Sequence, residues 1–172
     1  LGDVYKRQGY QKLANAEVMQ RFEDHWGVEI PKWKGTYATE CFPKMISGDI
    51  KGLFIFGEDP VRTDPDTNHV IKALEALDFL VVDDLFLTET AKFADVVLPG
   101  RSYAEKEGTF SNTERRVQRI RTAVTIPGTR LDTGIFIDLM NRMGYAQPQL
   151  TSAQIMDEIA ELTPSFHGIS HK

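Results

Sequence analysis

The sequence predicts an α/β fold on a short parallel sheet, followed by a β-hairpin and two C-terminal helices. Three observations carry the prediction. Two apolar runs, Leu53-Phe54-Ile55-Phe56 and Phe79-Leu80-Val81-Val82, stop abruptly at glycine or carboxylates. Between them Val70, Ile71, Leu74 and Leu77 recur at helical spacing. After Gly100 the texture changes to a polar–apolar alternation behind a turn-like Ser111-Asn112-Thr113. A strand–helix–strand order with short connections calls for parallel strands joined by right-handed crossovers.

Taken in order, Val18, Met19, Phe22 and Trp26 mark a helix running from Ala14 and ended by Gly27. Tyr37, Cys41, Met45 and Ile46 mark a short helix, interrupted by Pro43 and stopped by Gly48. Leu53–Phe56 is the first strand. Asp64-Pro65-Asp66-Thr67 supplies a cap, a first-turn proline and acidic residues for the next helix. Phe79–Val82 is too apolar for a half-exposed strand, so both its faces are expected to be covered. Thr88–Ala94 reads as a short helix and Val96-Val97-Leu98 as a third strand, ended by Pro99-Gly100. A hairpin is expected over Gly108–Ile120. The closing helices are Asp132–Met143, with Gly144 as its stop, and Ser152–Leu162.

Composition bounds the function. The 172 residues suffice for a domain core, and their net charge of −5 argues against a nucleic-acid partner. No run approaches the roughly 18 apolar residues of a membrane helix. The single cysteine, Cys41, excludes a disulfide framework and a multi-cysteine metal site within this chain, and fits a cytoplasmic location. The four histidines are scattered, so neither a metal centre nor a catalytic set is nominated. The chain does not begin with Met, and residues 1–8 are set apart as a leader that need not be native.

The carboxyl edge of a parallel sheet is where ligands bind. Gly57, Glu58, Asp59 and Thr63 fall just past the first strand, and Asp83 and Asp84 just past the second. A carboxylate accepts two coplanar hydrogen bonds, which suits a ribose diol or the N–H edge of guanine. The alternative for Asp59 and Asp83 is a turn or cap role, and Asp84 has a further one in anchoring the Thr88–Ala94 turn. Thr88 and Thr90 either face a phosphate or cap a turn. No Gly-x-Gly-x-x-Gly follows either strand, which weighs against an ordinary dinucleotide site. Glu105 and Glu107 read as a solvated charged turn. Arg115, Arg116, Arg119 and Arg121 lack interleaved aromatics for stacking bases, so they read as an interface rather than a nucleic-acid site.

Several runs in order carry a family resemblance. They are Gly57-Glu58-Asp59-Pro60, Asp84-x-Phe86-x-Thr88-Glu89-Thr90-Ala91, Ala94-Asp95-Val96-Val97-Leu98-Pro99, Glu107-Gly108-Thr109-Phe110-x-Asn112-Thr113-Glu114-Arg115-Arg116-Val117-Gln118, and the tail from Leu162 to Ile169. From Gly9 to its C-terminus the chain resembles the large, catalytic subunit of molybdopterin-dependent formate dehydrogenases, of the dimethyl-sulfoxide-reductase type. The resemblance implies a Rossmann-like half domain over 9–100 that holds one guanosine arm of a molybdopterin guanine dinucleotide. It also implies a hairpin interface segment over 101–126, packing near an iron–sulfur domain, and a helical segment over 127–172. Gly57, Glu58, Asp59 and Thr63 would contact the nucleotide, Asp83 would do so after the second strand, and Thr88 and Asp95 would shape the pocket. Asp83 departs from relatives that carry Gln there.

The resemblance further implies a parent that oxidises formate to carbon dioxide at molybdenum or tungsten. Its electrons would leave through iron–sulfur clusters to electron-transfer subunits. The metal ligand (Cys or selenocysteine followed by His), the cluster-binding cysteines and the C-terminal pterin-binding barrel match nothing here, so this segment alone is expected to be inactive. Missing partner domains would leave an apolar surface able to dimerise the isolated chain. Alternatives are a scaffold subunit related to the large subunit of NADH dehydrogenases, or another molybdenum enzyme such as a nitrate reductase.

Overall fold

A computed structural model describes residues 11–12, 15–33 and 35–171. The leader assigned to residues 1–8 and the helix start at Ala14 lie outside them. The α/β class holds. The elements are α1 (Ala16–Trp26), α2 (Ala38–Ile46), β1 (Gly52–Phe56), α3 (Pro60–Thr63), α4 (Thr67–Glu75), β2 (Phe79–Asp84), β3 (Val96–Pro99), β4 (Gly108–Ser111), β5 (Val117–Ile120), α5 (Asp132–Arg142) and α6 (Ser152–Leu162). They fall into two compact units, one of Lys34–Ser102 with Thr125–Asp138, the other of Leu1–Trp33, Tyr103–Val124 and Leu139–Lys172.

The first unit holds the three-stranded parallel sheet, in the order β1-β2-β3. Leu53 and Ile55 of β1 register with Leu80 and Val82 of β2, so all four share one face. On that face Val70 and Leu74 of α4, Val61 and Ala91 complete the buried core. The alternate residues Phe54 and Phe56 meet Phe136 of α5, with ring centroids 5.9 and 5.0 Å away. Helices on both faces explain why β2 is apolar nearly throughout, although Phe79 at its start is half exposed.

Local chemistry sets the element ends. α4 begins at Thr67 because Asp66 is its cap, accepting from the His69 N–H at 3.1 Å. Asp64 instead accepts from the Asp66 N–H at 3.0 Å, so Pro65 precedes the helix rather than opening it. α2 runs through Pro43 to Ile46; at that position the proline removes a single N–H, and Met45 anchors the helix in the core. The expected Thr88–Ala94 helix is a 3-10 turn over Thr90–Phe93. Asp95 ties the start of β3 to β2. Its Oδ2 accepts from the Leu80 N–H at 2.7 Å, and its own N–H donates to the Leu80 carbonyl at 2.9 Å.

In the second unit β4 and β5 form the expected antiparallel hairpin, Gly108 opposite Ile120 and Ser111 opposite Val117. Its loop is Thr113-Glu114-Arg115, with Arg115 in the left-handed region at φ 64°. That is the three-residue hairpin loop with a bulge, a position usually held by glycine. α1 is capped by Asn15, whose Oδ1 accepts from the Glu17 N–H at 2.9 Å, and ends at Gly27 with φ 65°. α6 carries a reciprocal capping box of Thr151 and Gln154. Glu105 departs from the expected solvated turn, being 4% exposed. Glu107 is exposed as expected and accepts from Ser152 Oγ at 3.0 Å. Among the described residues no helix is long and apolar enough to cross a membrane.

Truncating Leu74, 3% exposed in this core, is expected to cost about 2–5 kcal/mol as Leu74→Ala, whereas Lys72→Ala on the solvent side of α4 should stay within about 0.5 kcal/mol. Urea unfolding followed by far-ultraviolet circular dichroism checks this, because both tryptophans, Trp26 and Trp33, belong to the other unit.

Candidate functional site

β1 and β2 end side by side, Phe56 in register with Asp83. Gly57 turns the chain away from β1 at φ 62°, a conformation open to glycine without a steric penalty, and its N–H donates to the Asp83 carbonyl at 2.9 Å. The turn delivers Glu58 and Asp59 to the sheet edge and starts α3 at Pro60. Glu58 and Thr63 line a cavity of about 490 Å³ whose opposite wall includes Cys41, Phe42 and Met45 of α2. Cys41 thus packs beside Phe42 on an apolar wall, as its chemistry suggests.

Asp59 is half-buried, and its two carboxylate oxygens are unequal. Oδ1 accepts from the Thr90 hydroxyl at 2.6 Å and from the Thr90 N–H at 3.0 Å. Oδ2 has no hydrogen bond among the described residues, so it remains an available acceptor. The Asp59 carbonyl accepts from the Thr63 hydroxyl at 3.1 Å, which ties that side chain to the same turn.

The β2 end is organised differently. Asp83 lies within β2 rather than after it, is 1% exposed, and shares a face with Phe54, Phe56 and Val81. Its Oδ1 would lie 2.7 Å from a Cβ built on Gly100, and Asp132 Oδ1 of α5 would lie 3.3 Å from the same point. Gly100 is therefore required by two carboxylates that crowd its Cα. Asp84 is half-buried and its Oδ1 accepts from the Leu85 N–H at 2.6 Å, holding the turn into the exposed Leu85-Phe86-Leu87 loop. Thr88 uses its hydroxyl to accept from the Ala91 N–H at 3.2 Å, so it caps the 3-10 turn.

The structure therefore brings Gly57, Glu58, Asp59, Thr63, Asp84 and Thr88 to the carboxyl edge. Asp83 belongs to that edge by sequence but faces inward, beneath the start of α5. Asp95 lies at the opposite, amino edge, because it precedes β3 and serves as a backbone acceptor for β2. Thr90, considered above for a phosphate, is fully buried and commits its hydroxyl to Asp59 and Val61. The sequence marks Gly100 only as a strand stop and Asp132 only as a helix start; their approach to Asp83 depends on the packing of α5. Among the described residues no group of three or more His, Cys, Asp or Glu is placed to hold a metal.

The molybdopterin oxidoreductase family profile matches residues 4–142. The chain belongs to that family. The F420-dependent formate dehydrogenase subunit alpha of Methanocaldococcus jannaschii is 48% identical over 170 residues, which is 95% of this chain and 24% of that protein. The F420-dependent formate dehydrogenase 2 subunit alpha of Methanococcus maripaludis is 45% identical over 166 residues, again 24% of its length. The chain thus spans about a quarter of these curated relatives. The acetylene hydratase of Pelobacter acetylenicus shares the fold, with a TM-score of 0.64 at 22% identity over 90% of this chain and 22% of that one. The family is one of molybdopterin-binding proteins.

Adding a methyl group at Gly100 is expected to destabilise the first unit by about 1–3 kcal/mol as Gly100→Ala, through its approach to Asp83 and Asp132. A double-mutant cycle with Asp83→Ala, read by urea unfolding, should return a coupling above about 0.5 kcal/mol, because the second change removes the clash.

Proposed function

We propose that this chain is a segment of the large subunit of a formate dehydrogenase, and that the carboxyl edge of its parallel sheet holds the guanosine of a molybdopterin guanine dinucleotide. The observation that carries the reading is that Glu58 and Thr63 line the cavity beside α2, with Gly57 and Asp59 in the same turn off β1. The formate dehydrogenase relatives, at 45–48% identity, support the choice of parent.

The residues present fit such a group. Guanosine offers N–H donors on its base and O–H donors on its ribose, and this edge offers acceptors: Glu58, the open Oδ2 of Asp59, and Asp84. Gly57 lets the backbone turn without a side chain over the edge, and Thr63 adds a hydroxyl at the cavity wall. The apolar wall of Phe42 and Met45 suits the face of a base. When bound, the cofactor supplies the metal at which electrons are exchanged. The task of this chain's own residues is to bind and orient its nucleotide arm.

In the whole subunit, formate is the proposed substrate, oxidised to carbon dioxide at molybdenum or tungsten, with iron–sulfur clusters and electron-transfer subunits as the route out. Of the half domain expected over residues 9–100, the part that carries the proposed guanosine site is the sheet unit, Lys34–Ser102 with Thr125–Asp138. Residues 101–126, with Arg115, Arg116, Arg119 and Arg121 exposed along the hairpin and its exit, form an interface to another domain of the subunit, and residues 127–172 a helical segment. A cytoplasmic location and dimerisation of the isolated chain complete the proposal.

The isolated chain is expected to bind GMP saturably but weakly, with a Kd of roughly 0.1–10 mM, since it supplies one part of the cofactor cradle. A titration followed by amide chemical shifts should move residues 57–63 and prefer GMP to AMP. Asp59→Ala should remove the preference. No saturable shift, or equal affinity for the two nucleotides, would sink the guanosine assignment.

A further inference from the structure

We infer that Thr90 is a positioning residue for the nucleotide site, acting through Asp59: its hydroxyl takes over the capping duty that would otherwise draw the Asp59 carboxylate away from the ligand. The inference rests on the reading of the β1 edge as a nucleotide site and adds a residue, outside the cavity, on which that site depends.

Asp59 occupies the N-cap position of α3, with Pro60 next. An aspartate there ordinarily folds its carboxylate back onto the N–H groups two or three residues on, satisfying a donor the helix leaves orphaned. Asp59 makes no such bond. The donor it would take, the Val61 N–H, is instead accepted by Thr90 Oγ1 at 3.1 Å. The same hydroxyl spends its proton on Asp59 Oδ1 at 2.6 Å, and the Thr90 N–H adds a second bond to that oxygen at 3.0 Å.

One hydroxyl therefore does two things. It caps α3 from a distant turn, across 29 residues of sequence, and it clamps the displaced aspartate by one oxygen. The clamp is rigid because Thr90 is fully buried and adjoins Ala91 of the core. With Oδ1 carrying two bonds and the Val61 N–H satisfied, the carboxylate gains nothing by rotating back. Oδ2 stays open as an acceptor in a fixed place, which is the preorganisation a binding site needs.

A purely structural tie between the 3-10 turn and α3 would make a different demand on substitutions. Thr90→Ser keeps the hydroxyl and loses a methyl. Thr90→Val keeps the shape and loses the hydroxyl, which leaves the Val61 N–H without an acceptor and free to draw Asp59 into the cap. If Thr90 positions Asp59, Thr90→Ser should hold GMP within about twofold of the unaltered chain. Thr90→Val should bind it at least about tenfold more weakly, with the Val61 amide resonance shifted. Binding is compared at a temperature where circular dichroism shows each variant folded. Thr90→Ala, which removes the same hydroxyl and leaves room for water at the Val61 N–H, replaces the valine variant should that fail to fold. If the unaltered chain and Thr90→Ser bind GMP and the hydroxyl-free variant binds equally well, the positioning role is wrong while the guanosine reading stands. The positioning role is equally wrong if Thr90→Ser, folded, weakens as much as the hydroxyl-free variant. Absence of GMP binding by the unaltered chain overturns the guanosine reading, and the role of Thr90 falls with it.

Discussion

The pairing of β2 on both sides is the constraint on which the rest of the sheet unit depends. A parallel strand cannot reach its neighbour by a tight turn, so each crossover must climb over a face of the sheet. β2 is enclosed: β1 and β3 take its edges, the crossover helix α4 covers the face of Leu80 and Val82, and α5, which follows β3, lies over the other. Because all three strands run the same way, their carboxyl ends share one edge. The turns leaving β1 and β2 must then emerge together. The convergence of Glu58, Asp59 and Asp84 follows from topology before any ligand is considered.

Aspartates at the two ends of this sheet serve different physical ends. Asp95, at the amino edge, satisfies a backbone N–H of β2 that the short β3 leaves without a strand partner. Asp84 turns the chain by bonding the next residue. Asp83 is buried against Gly100 and the start of α5, where a carboxylate must be compensated by its surroundings. Asp59 divides its carboxylate between a buried threonine and an open position. Such a division requires a rigid donor behind it, and a buried threonine in a core turn is a better one than any exposed side chain.

How much of this was visible in the sequence depends on whether the deciding partner was local. Both apolar runs became strands because four successive large apolar residues leave few other options in water, and the hairpin followed from alternation around a polar turn. α6 matched its expected span because its capping box is contained within four residues. The start of α4 slipped from Asp64 to Asp66, since two aspartates competed for one cap and only the second sits at the helix end. The Thr88–Ala94 segment is a 3-10 turn over Thr90–Phe93 whose first residue bonds Asp59, a partner 31 positions away that no local pattern reveals. Asp83 looked like an exposed strand-end carboxylate. Its parity with Val81 directs it to the face that α5 covers, and the place of α5 is set by packing of Phe136 on Phe54 and Phe56, which no local pattern contains. For Asp95 the signal was present: a residue before a strand, not after it, belongs to the other edge.

The character of the edge also decides which part of a nucleotide it can hold. Phosphate sites on parallel sheets are built from glycine-rich turns and the amino end of a long helix, whose aligned peptides favour negative charge. Here the β1 turn carries Glu58 and Asp59, and α3 is a single turn of four residues, too short for a useful dipole. A diphosphate placed there would meet carboxylates at close range without a compensating cation. The neutral donor-rich end of a nucleotide meets the opposite situation, since each N–H or O–H finds an acceptor and the apolar wall of α2 takes the face of the ring. On the proposed reading, charge thus favours base and ribose over phosphate at this edge.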